Sequence, residues 1–267
     1  VETELVVLSD ANAFYEPDAL KHLVKYFQDP AVGCVSGRVT LLNTFNVLSL
    51  SERVYQWYEE LLRRLEDRVG ATVAVDGAMC AIRKELYQKV PSNIILDDFV
   101  LAMNIIRQGK RIIFAPEAQG YEYAPITVKE GFKTRVRVTA GAMQTLKHRI
   151  GLPPLGQPLL LFEYLFHKFL RWMMPLLLLA IFAVNVSLID QGAYLALLSA
   201  QILFYGLALL GYVTGSSVSI LSVPFYFCLQ NIAIAAGIWQ GLKDRQSVMW
   251  DKVERFPVDG GIEKGND

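Results

Sequence analysis

The sequence has few cysteines, no excess of charge and a long stretch that is almost uncharged. Its three cysteines, Cys34, Cys80 and Cys228, are scattered and form no CxxC pair, so they indicate neither a disulfide framework nor a zinc site. We expect them to be buried apolar thiols. The 26 basic and 26 acidic side chains cancel, so the chain lacks the basic excess that phosphate-backbone binding needs. We therefore expect no nucleic-acid partner.

The uncharged stretch predicts membrane-spanning helices. Between Trp172 and Leu242 the only charged residue is Asp190. Each apolar run within this stretch is about long enough to cross the ~30 Å hydrocarbon core of a bilayer. We predict an integral, multi-pass membrane protein with about three transmembrane helices. The three apolar runs lie near residues 173–189, 193–213 and 218–239.

The rest of the chain predicts an α/β domain joined to the membrane by an interfacial helix. Strand-like and helix-like segments alternate through residues 1–150, which is the pattern of a layered α/β fold. A Pro- and Gly-rich linker follows, and then a largely apolar segment that carries Glu163, His167, Lys168 and Arg171, as in helices that lie in the membrane interface. The predicted parts are 1–150, the α/β domain; 151–172, the linker and interfacial helix; 173–242, the transmembrane helices; and 243–267, a polar tail.

Local signals place several strands and helices of the α/β domain. The apolar run that ends at Asp10 predicts a strand buried on both faces, as in a parallel sheet. The run RIIFAP predicts a strand that ends at Pro116. An amphipathic helix over residues 47–69 is predicted to end at Gly70. The pair Thr127 and Glu130 has the spacing of a capping box, which predicts the start of another helix.

Two oxygen-bearing side chains follow the first predicted strand. Asp10 and Asn12 stand at its carboxyl end, where doubly wound sheets form their ligand crevice. Carboxylate and amide oxygens suit a hard divalent cation, which would stabilise a diphosphate leaving group. The alternative is that both are ordinary turn residues, since Asp and Asn are favoured after any strand.

Two adjacent acids begin a predicted helix that ends at Gly109. Asp97 and Asp98 fit an N-cap with a favourable charge at the positive end of the helix dipole. In the functional alternative, a carboxylate points into the crevice and takes a proton from a sugar hydroxyl. The spacing alone favours the cap.

Basic side chains mark the helix that follows the capping box. Lys133 and Arg137 share one face of this helix, and Arg135 points elsewhere. Arginine forks match phosphate oxygens, which favours a phosphate-binding role. A solvated or membrane-facing basic helix is the alternative.

Four segments follow one another in the order LVVLSDANAFYEPDAL, DGAMCAIRKELY, LDDFVLAMNIIRQGKRIIFAPEA and FKTRVRVTAGAMQTL. In this order they resemble the membrane-bound family 2 glycosyltransferases, the group that holds the cellulose, chitin, hyaluronan and poly-N-acetylglucosamine synthases. The first segment is similar to that family's metal-binding strand, the second to its acceptor-side segment and the third to the segment with its catalytic base. The fourth stands where processive members carry Q-x-x-R-W.

The resemblance implies a fold, a reaction and a role for each matching residue. It implies a partial GT-A type, Rossmann-like α/β domain that moves a sugar with inversion from a nucleotide-diphospho-sugar to a polysaccharide or lipid-linked acceptor. It also implies contact with membrane lipid and a domain on the cytoplasmic face, as in a bacterial inner membrane. The implied roles are the catalytic base for Asp98, a Mg²⁺ or Mn²⁺ site for Asp10 and Asn12, donor phosphate binding for Arg135 and Arg137, and the acceptor side for Gly77, Ala78 and Asp97.

The sequence departs from the family pattern in three places. Asn12 replaces an acid, and Thr134 and Val138 stand where the processive members have Gln and Trp. The chain opens on Val1 inside a strand-like segment, so we expect the family's N-terminal half-sheet, with its nucleotide-base pocket, to lie upstream. Two alternatives stay open beside the polymerising enzyme: a non-processive transferase with a lipid acceptor, and a non-catalytic membrane scaffold or export subunit.

Overall fold

A mixed five-stranded sheet forms the centre of the N-terminal part of the chain. The computed structural model describes residues 3–42, 49–70, 72–125, 127–214 and 219–247. Within these residues the strands are β1 (Leu5–Ser9), β2 (Phe14–Tyr15), β3 (Val32–Leu42), β4 (Met79–Arg83) and β5 (Arg111–Tyr123). Their order across the sheet is β1-β4-β3-β5-β2. β3 and β5 run parallel, whereas the other neighbouring pairs are antiparallel.

Helices cover the sheet and then continue into a long apolar block. In the described part of the chain they are α1 (Ala19–Val24), α2 (Ser49–Arg68), α3 (Asp97–Arg107), α4 (Val128–Lys147), α5 (Pro158–Glu163), α6 (Leu170–Ser187), α7 (Gly192–Val213) and α8 (Ser219–Leu242). A π-helical segment, Tyr164–Phe169, joins α5 to α6. Short 3₁₀ turns follow α1 and β4.

The core consists of two apolar clusters, one for each face of the sheet. On one face Leu23 of α1 packs with the side chains of Val35 and Met79. On the other face Met103 of α3 packs with Cys80 and its neighbours, and this cluster extends to α5 and the π-helical segment. Side chains alternate between the two faces because successive residues of a strand point in opposite directions. The predicted α/β layering is therefore present.

Two predicted strands differ from the observed ones. β1 is an edge strand in the described sheet, pairs antiparallel with β4 and is half-buried, whereas a doubly buried parallel strand was expected. A continuous apolar run does not distinguish these two situations. β5 does not end at Pro116 but continues to Tyr123. The pairing with β3 skips three residues between Ala115 and Gln119, and this bulge accommodates the proline, which cannot donate a ladder hydrogen bond.

The predicted helix boundaries are largely confirmed. α2 ends at Arg68, ahead of Gly70, whose φ of +69° is left-handed. The first two residues of the predicted helix, 47 and 48, lie outside the described residues. α4 begins with the complete capping box, in which the Thr127 hydroxyl accepts from the Glu130 backbone N–H and the Glu130 carboxylate accepts from the Thr127 backbone N–H. These ends are encoded locally, which is why the sequence reveals them.

Three helical stretches of the described residues are long and apolar enough to cross a membrane. They are Pro158–Ser187, Gly192–Val213 and Ile220–Leu242. The first combines α5, the π-helical segment and α6, so the expected interfacial helix and the expected first span form one continuous helix. Of the expected polar tail, residues 243–247 are described and 248–267 lie outside the described residues.

The last apolar helix packs closely against the α/β domain. α8 lies along α4, and a Cβ placed on Gly237 would come within 2.6 Å of the Thr139 Cβ and of the Val136 carbonyl oxygen. Only a glycine allows this approach between the two helices. α4 is thus held between the α/β domain and the apolar block.

Candidate active site

A tight turn before β4 forms the centre of the candidate site. The Asp76 backbone N–H donates to the Ser36 Oγ at 2.9 Å, and the Ala78 N–H donates to the Asp76 Oδ1 at 3.2 Å. The Tyr15 hydroxyl donates to the Ala78 carbonyl oxygen at 2.8 Å. These bonds fix the turn from both sides, because an Asp side chain readily closes a turn on the backbone two residues ahead.

The Asp98 carboxyl lies against this turn. A Cβ on Gly77 would stand 3.3 Å from the Asp98 Cβ and 3.5 Å from its Oδ2, so the glycine leaves room for the carboxyl group. The N-cap of α3 is Leu96, and no side chain caps the helix. The Asp98 Oδ1 accepts from the Phe99 N–H at 2.7 Å, so the acid lies within the first turn of the helix. Asp97, its neighbour, is exposed.

The surroundings of Asp98 raise the pKa of its carboxyl to about 6. Burial is the largest cause, and the negative charges of Asp97 and Asp76 act in the same direction. The Phe99 hydrogen bond and the positive charge of Lys168 act in the opposite direction. A carboxyl group with a pKa near the working pH is suited to accept a proton from a hydroxyl group.

The two predicted phosphate-binding arginines lie in different surroundings. Burial lowers the pKa of the Arg137 guanidinium, and the charges of Asp97 and Asp98 offset part of this shift, so both acids act electrostatically on Arg137. Arg135 faces α8 and α2 instead. Its Nε donates to the Gln230 Oε1 at 2.7 Å, and its guanidinium lies 5.3 Å from the centre of the Tyr55 ring.

The predicted metal ligands lie at the end of β1. Asp10 is exposed, and its carbonyl oxygen accepts from the Ala13 N–H at 3.1 Å. The Asn12 Nδ2 donates to the Glu122 Oε1 at 3.1 Å. Burial raises the pKa of the Tyr15 hydroxyl, its hydrogen bond with Ser9 lowers it, and the charges of Asp10 and Asp76 raise it further. Tyr15 therefore stands between the Asp10 side of the site and the turn.

The donors around Asp10 are chemically suited to a hard divalent cation. Asn12 uses its amide nitrogen toward Glu122, and its amide oxygen and the carboxylate of Asp10, two residues earlier, are both metal-ligand types. Among the described residues, no group of three or more His, Cys, Asp or Glu side chains is arranged to hold a metal ion. One or two carboxylates are the usual protein share of a Mg²⁺ site that is completed by water and substrate phosphates.

A cavity of about 900 Å³ lies beside the candidate site. Asp76, whose charge acts on Asp98, lines one part, and Glu122, the partner of Asn12, lines another. Asp98 and Asn12 do not line the cavity themselves, but residues near them do. A cavity of this size accommodates a sugar ring with part of a second group. Its other walls are Arg38–Leu41 of β3, Arg53–Trp57, Glu59, Glu60 and Arg63 of α2, and Phe114 of β5.

The cavity wall carries paired charges and aromatic rings. The Arg38 Nε lies 3.1 Å from the Glu60 Oε2, and the Arg63 Nη1 lies 3.6 Å from the Asp76 Oδ2. Trp57 is 65% exposed beside these pairs. Planar ion pairs offer several hydrogen bonds to vicinal hydroxyls, and an aromatic face covers the apolar side of a sugar ring. The wall therefore suits a polyhydroxylated ligand.

A buried polar cluster behind this wall was not foreseen from the sequence. His167 is 5% exposed and contacts both Glu66 and Glu59, and Arg171 pairs with Glu59 and the Tyr55 hydroxyl. Burial raises the pKa of Glu59, but its hydrogen bond with His167 and the nearby cations bring it well below the usual range. The three histidines of the chain are far apart in sequence, so their spacing indicates no shared site. The partners of His167 lie about a hundred residues away, on α2.

Asp76, Tyr15 and Glu122 were also missed. The Asp-Gly pair at Asp76 and Gly77 is a dipeptide that favours turns, so the sequence does indicate this turn. Tyr15 and Glu122 carry no local signal, because their roles arise from the pairing of β2 with β5.

The mixed sheet with its helices is a GT-A-like glycosyltransferase fold, and three long apolar helices follow it. This confirms the predicted fold class. The family model "Glycosyl transferase family group 2" matches residues 5–237, and the chain belongs to this family.

The chain is similar to two glycosyltransferases. It is 24% identical over 132 residues to the O-antigen chain rhamnosyltransferase RfbN of Salmonella typhimurium, a match over 45% of this chain and 42% of the relative. Its structure is similar, with a TM-score of 0.61 and 23% identity, to the mannosyltransferase PcManGT from Pyrobaculum calidifontis, solved in complex with GDP-Man and Mn²⁺. That match covers 91% of this chain and 63% of the mannosyltransferase. The chain thus spans less than two thirds of either protein.

Proposed function

We propose that this chain is the catalytic and membrane-associated part of an inverting glycosyltransferase that uses a nucleotide-diphospho-sugar. The observation that carries the proposal is the Asp98 carboxyl beside Gly77, with a pKa of about 6, next to the cavity that also borders the Asn12 side. Membership of the family and the likeness to a mannosyltransferase bound to GDP-Man support it. The narrower resemblance to the cellulose, chitin and hyaluronan synthases stays a prediction.

In the proposed reaction, the Asp98 carboxylate takes the proton of an acceptor hydroxyl. The hydroxyl oxygen forms a bond to the anomeric carbon while the bond from that carbon to the diphosphate breaks on the opposite face, so the configuration inverts. Arg137, on which the charges of Asp97 and Asp98 act, adds positive charge near the departing phosphates. Gly77, Ala78 and Asp97 form the acceptor side of the base.

Asp10 and Asn12 are the residues that would hold Mg²⁺ or Mn²⁺. When bound, such a cation neutralises the charge that develops on the diphosphate. The oxygen donors at the end of β1 and the Mn²⁺ in the similar mannosyltransferase structure support this assignment. Arg135 keeps its predicted phosphate-binding role only if it leaves its partners Gln230 and Tyr55.

The acceptor is proposed to be a lipid-linked sugar or a growing polysaccharide. Val138 and Thr134 in place of Trp and Gln favour a single transfer over processive polymerisation. The three apolar helices support an integral membrane location. We place the α/β domain on the cytoplasmic face of a bacterial inner membrane, where nucleotide sugars are available.

Sugar transfer by the Asp98→Asn variant tests the enzyme assignment. In lipid nanodiscs with Mn²⁺ and a panel of nucleotide sugars that includes GDP-mannose, the variant should lose roughly 10²- to 10⁴-fold in kcat with little change in the KM for donor. Asp18→Asn, an exposed acid at the start of α1, is the matched control and should keep full activity. Equal rates for Asp98→Asn and the wild type would leave the scaffold alternative standing.

A further inference from the structure

An apolar stripe runs along the outward side of α2. Each of its side chains has another member of the set three or four residues away, so they lie on one side of the helix, and they are between 39% and 65% exposed. We call this set the α2 stripe. It consists of Val54, Trp57, Tyr58, Leu61, Leu65 and, just after the helix, Val69.

The charges of α2 are sorted around this stripe. Three of its acids face inward: Glu59 and Glu66 contact His167, and the Asp67 Oδ1 accepts from the Phe114 N–H at 2.9 Å. Arg64, whose Nη2 lies 2.6 Å from the Glu60 Oε1, and Arg68 border the stripe and are exposed. An apolar face that contains Trp and Leu and is edged by arginines is the composition of helices that lie in a lipid interface, where the cations meet anionic headgroups.

The inward side of α2 is fastened to the first membrane-span candidate. Glu59 and Glu66 pair with His167 of the π-helical segment, and Glu59 also pairs with Arg171 of α6. Arg171 is the last charged residue before Asp190, so it marks where that helix becomes purely apolar. α2 therefore lies beside the point at which a membrane helix enters the hydrocarbon, and its stripe adjoins an apolar surface already suited to lipid.

We propose that the α2 stripe lies in the lipid surface, at the boundary between headgroups and acyl chains, with Arg64 and Arg68 at the headgroups. Val54 and Trp57 belong both to this stripe and to the wall of the 900 Å³ cavity, so the lipid surface borders the cavity. An acceptor anchored in lipid reaches the cavity along this edge. The surface goes beyond the proposed chemistry and does not depend on it.

Spin labels on single cysteines test this surface in the whole protein. Leu61→Cys and Leu65→Cys are labelled in a Cys228→Ala background, because Cys34 and Cys80 are fully buried. The protein is placed in nanodiscs of phosphatidylcholine and phosphatidylglycerol, and collisions with oxygen and with a water-soluble nickel chelate are compared. Lys21→Cys provides the water reference and Leu203→Cys, on α7, the lipid reference.

We expect the oxygen-to-nickel collision ratio at Leu61 and Leu65 to exceed that at Lys21 by about threefold or more, toward the value at Leu203. A ratio equal to that at Lys21 would overturn the proposal, since the stripe would then face water. Protection from both reagents would also overturn it, since another protein surface would then cover the stripe. If a labelled variant fails to fold, quenching of tryptophan fluorescence by brominated lipids decides the question. Wild type and Trp57→Phe are compared, and the part of the fluorescence that comes from Trp57 should be quenched by the brominated lipid.

Discussion

The two acidic sides of the candidate site differ in how the fold holds them. On the base side, Asp98 lies within the first turn of α3, next to a turn that donates a backbone N–H to Ser36 of β3 and accepts a hydrogen bond from the Tyr15 hydroxyl. On the metal side, Asp10 is exposed after an edge strand, and the Asn12 amide has Glu122 as its partner. The base side is built by the core, whereas the metal side lies at the surface after an edge strand.

This difference indicates how each side contributes to the proposed reaction. A base must have its pKa and its side-chain orientation set before the substrate binds. Burial and the neighbouring negative charges raise the pKa of the Asp98 carboxyl in the absence of substrate. A cation that arrives with a diphosphate brings its own ligands and needs only part of its shell from the protein. The predictions below test this contrast.

The largest expected effect concerns stability and pH on the base side. The folded state raises the pKa of Asp98 from 3.8 to about 6, so ionisation of this carboxyl destabilises the folded state. The free energy of unfolding therefore falls as pH rises from about 4 to about 6. Asp98→Asn removes that cost and should be more stable than the wild type at pH 7.5, by at most about 3 kcal/mol. Unfolding monitored by circular dichroism at pH 7.5 and pH 4 measures this. A difference that is the same at both pH values would show that ionisation is not its cause.

Changing the charge of the residues on the metal side should have a smaller effect, on the Mn²⁺ concentration that sugar transfer needs. Asp10→Asn removes a carboxylate ligand and should raise the Mn²⁺ concentration needed for half-maximal transfer by about tenfold, with kcat largely kept at saturating metal. Asn12→Asp should lower that concentration. Without metal it should also lower the melting temperature, because it sets a carboxylate against Glu122, and Mn²⁺ should restore the loss. Metal titrations of activity and of melting temperature measure both variants. Unchanged metal dependence in both would remove these residues from the metal site.

The smallest expected effect concerns the space beside the base. A methyl group at Gly77 would stand 3.3 Å from the Asp98 Cβ, so Gly77→Ala should shift the carboxyl by a few tenths of an ångström and lower kcat roughly fivefold. Gly131→Ala on α4, where a Cβ meets no atom within 4 Å, is the matched control and should keep full activity. Equal loss in the two variants would point to a general effect of alanine rather than to crowding of the base.

Local signals in the sequence predicted much of the fold. The glycine after α2 and the capping box at Thr127 depend on residues that are neighbours in the chain, and the structure has both. The edge position of β1 and the continuation of β5 past Pro116 depend on which strand lies alongside, and no local pattern contains that information. The three apolar helices were visible because lipid-spanning length and composition are properties of a continuous segment.

The candidate site was predictable where a motif carried the chemistry. Asp98 and Gly77 are about twenty residues apart, and their spacing alone does not predict that they meet. The family resemblance assigned both to one site, and the structure has them close together. Arg135 and Arg137 are two residues apart on a helix, so they point in different directions: Arg135 contacts Gln230, whereas the charges of Asp97 and Asp98 act on Arg137. The cluster of His167 with Glu59 and Glu66 is a long-range contact that no spacing rule reveals.

The pH dependence of sugar transfer tests the central claim most directly, because it measures the ionisation of the proposed base in the working enzyme. With wild-type protein in nanodiscs and saturating Mn²⁺, kcat/KM should fall on the acid side with a midpoint near pH 6 and a tenfold loss for each further pH unit, as one carboxylate with the pKa of Asp98 requires. A profile that stays flat down to pH 4, or an unchanged acid limb in the residual activity of Asp98→Asn, would contradict the assignment of Asp98 as the base.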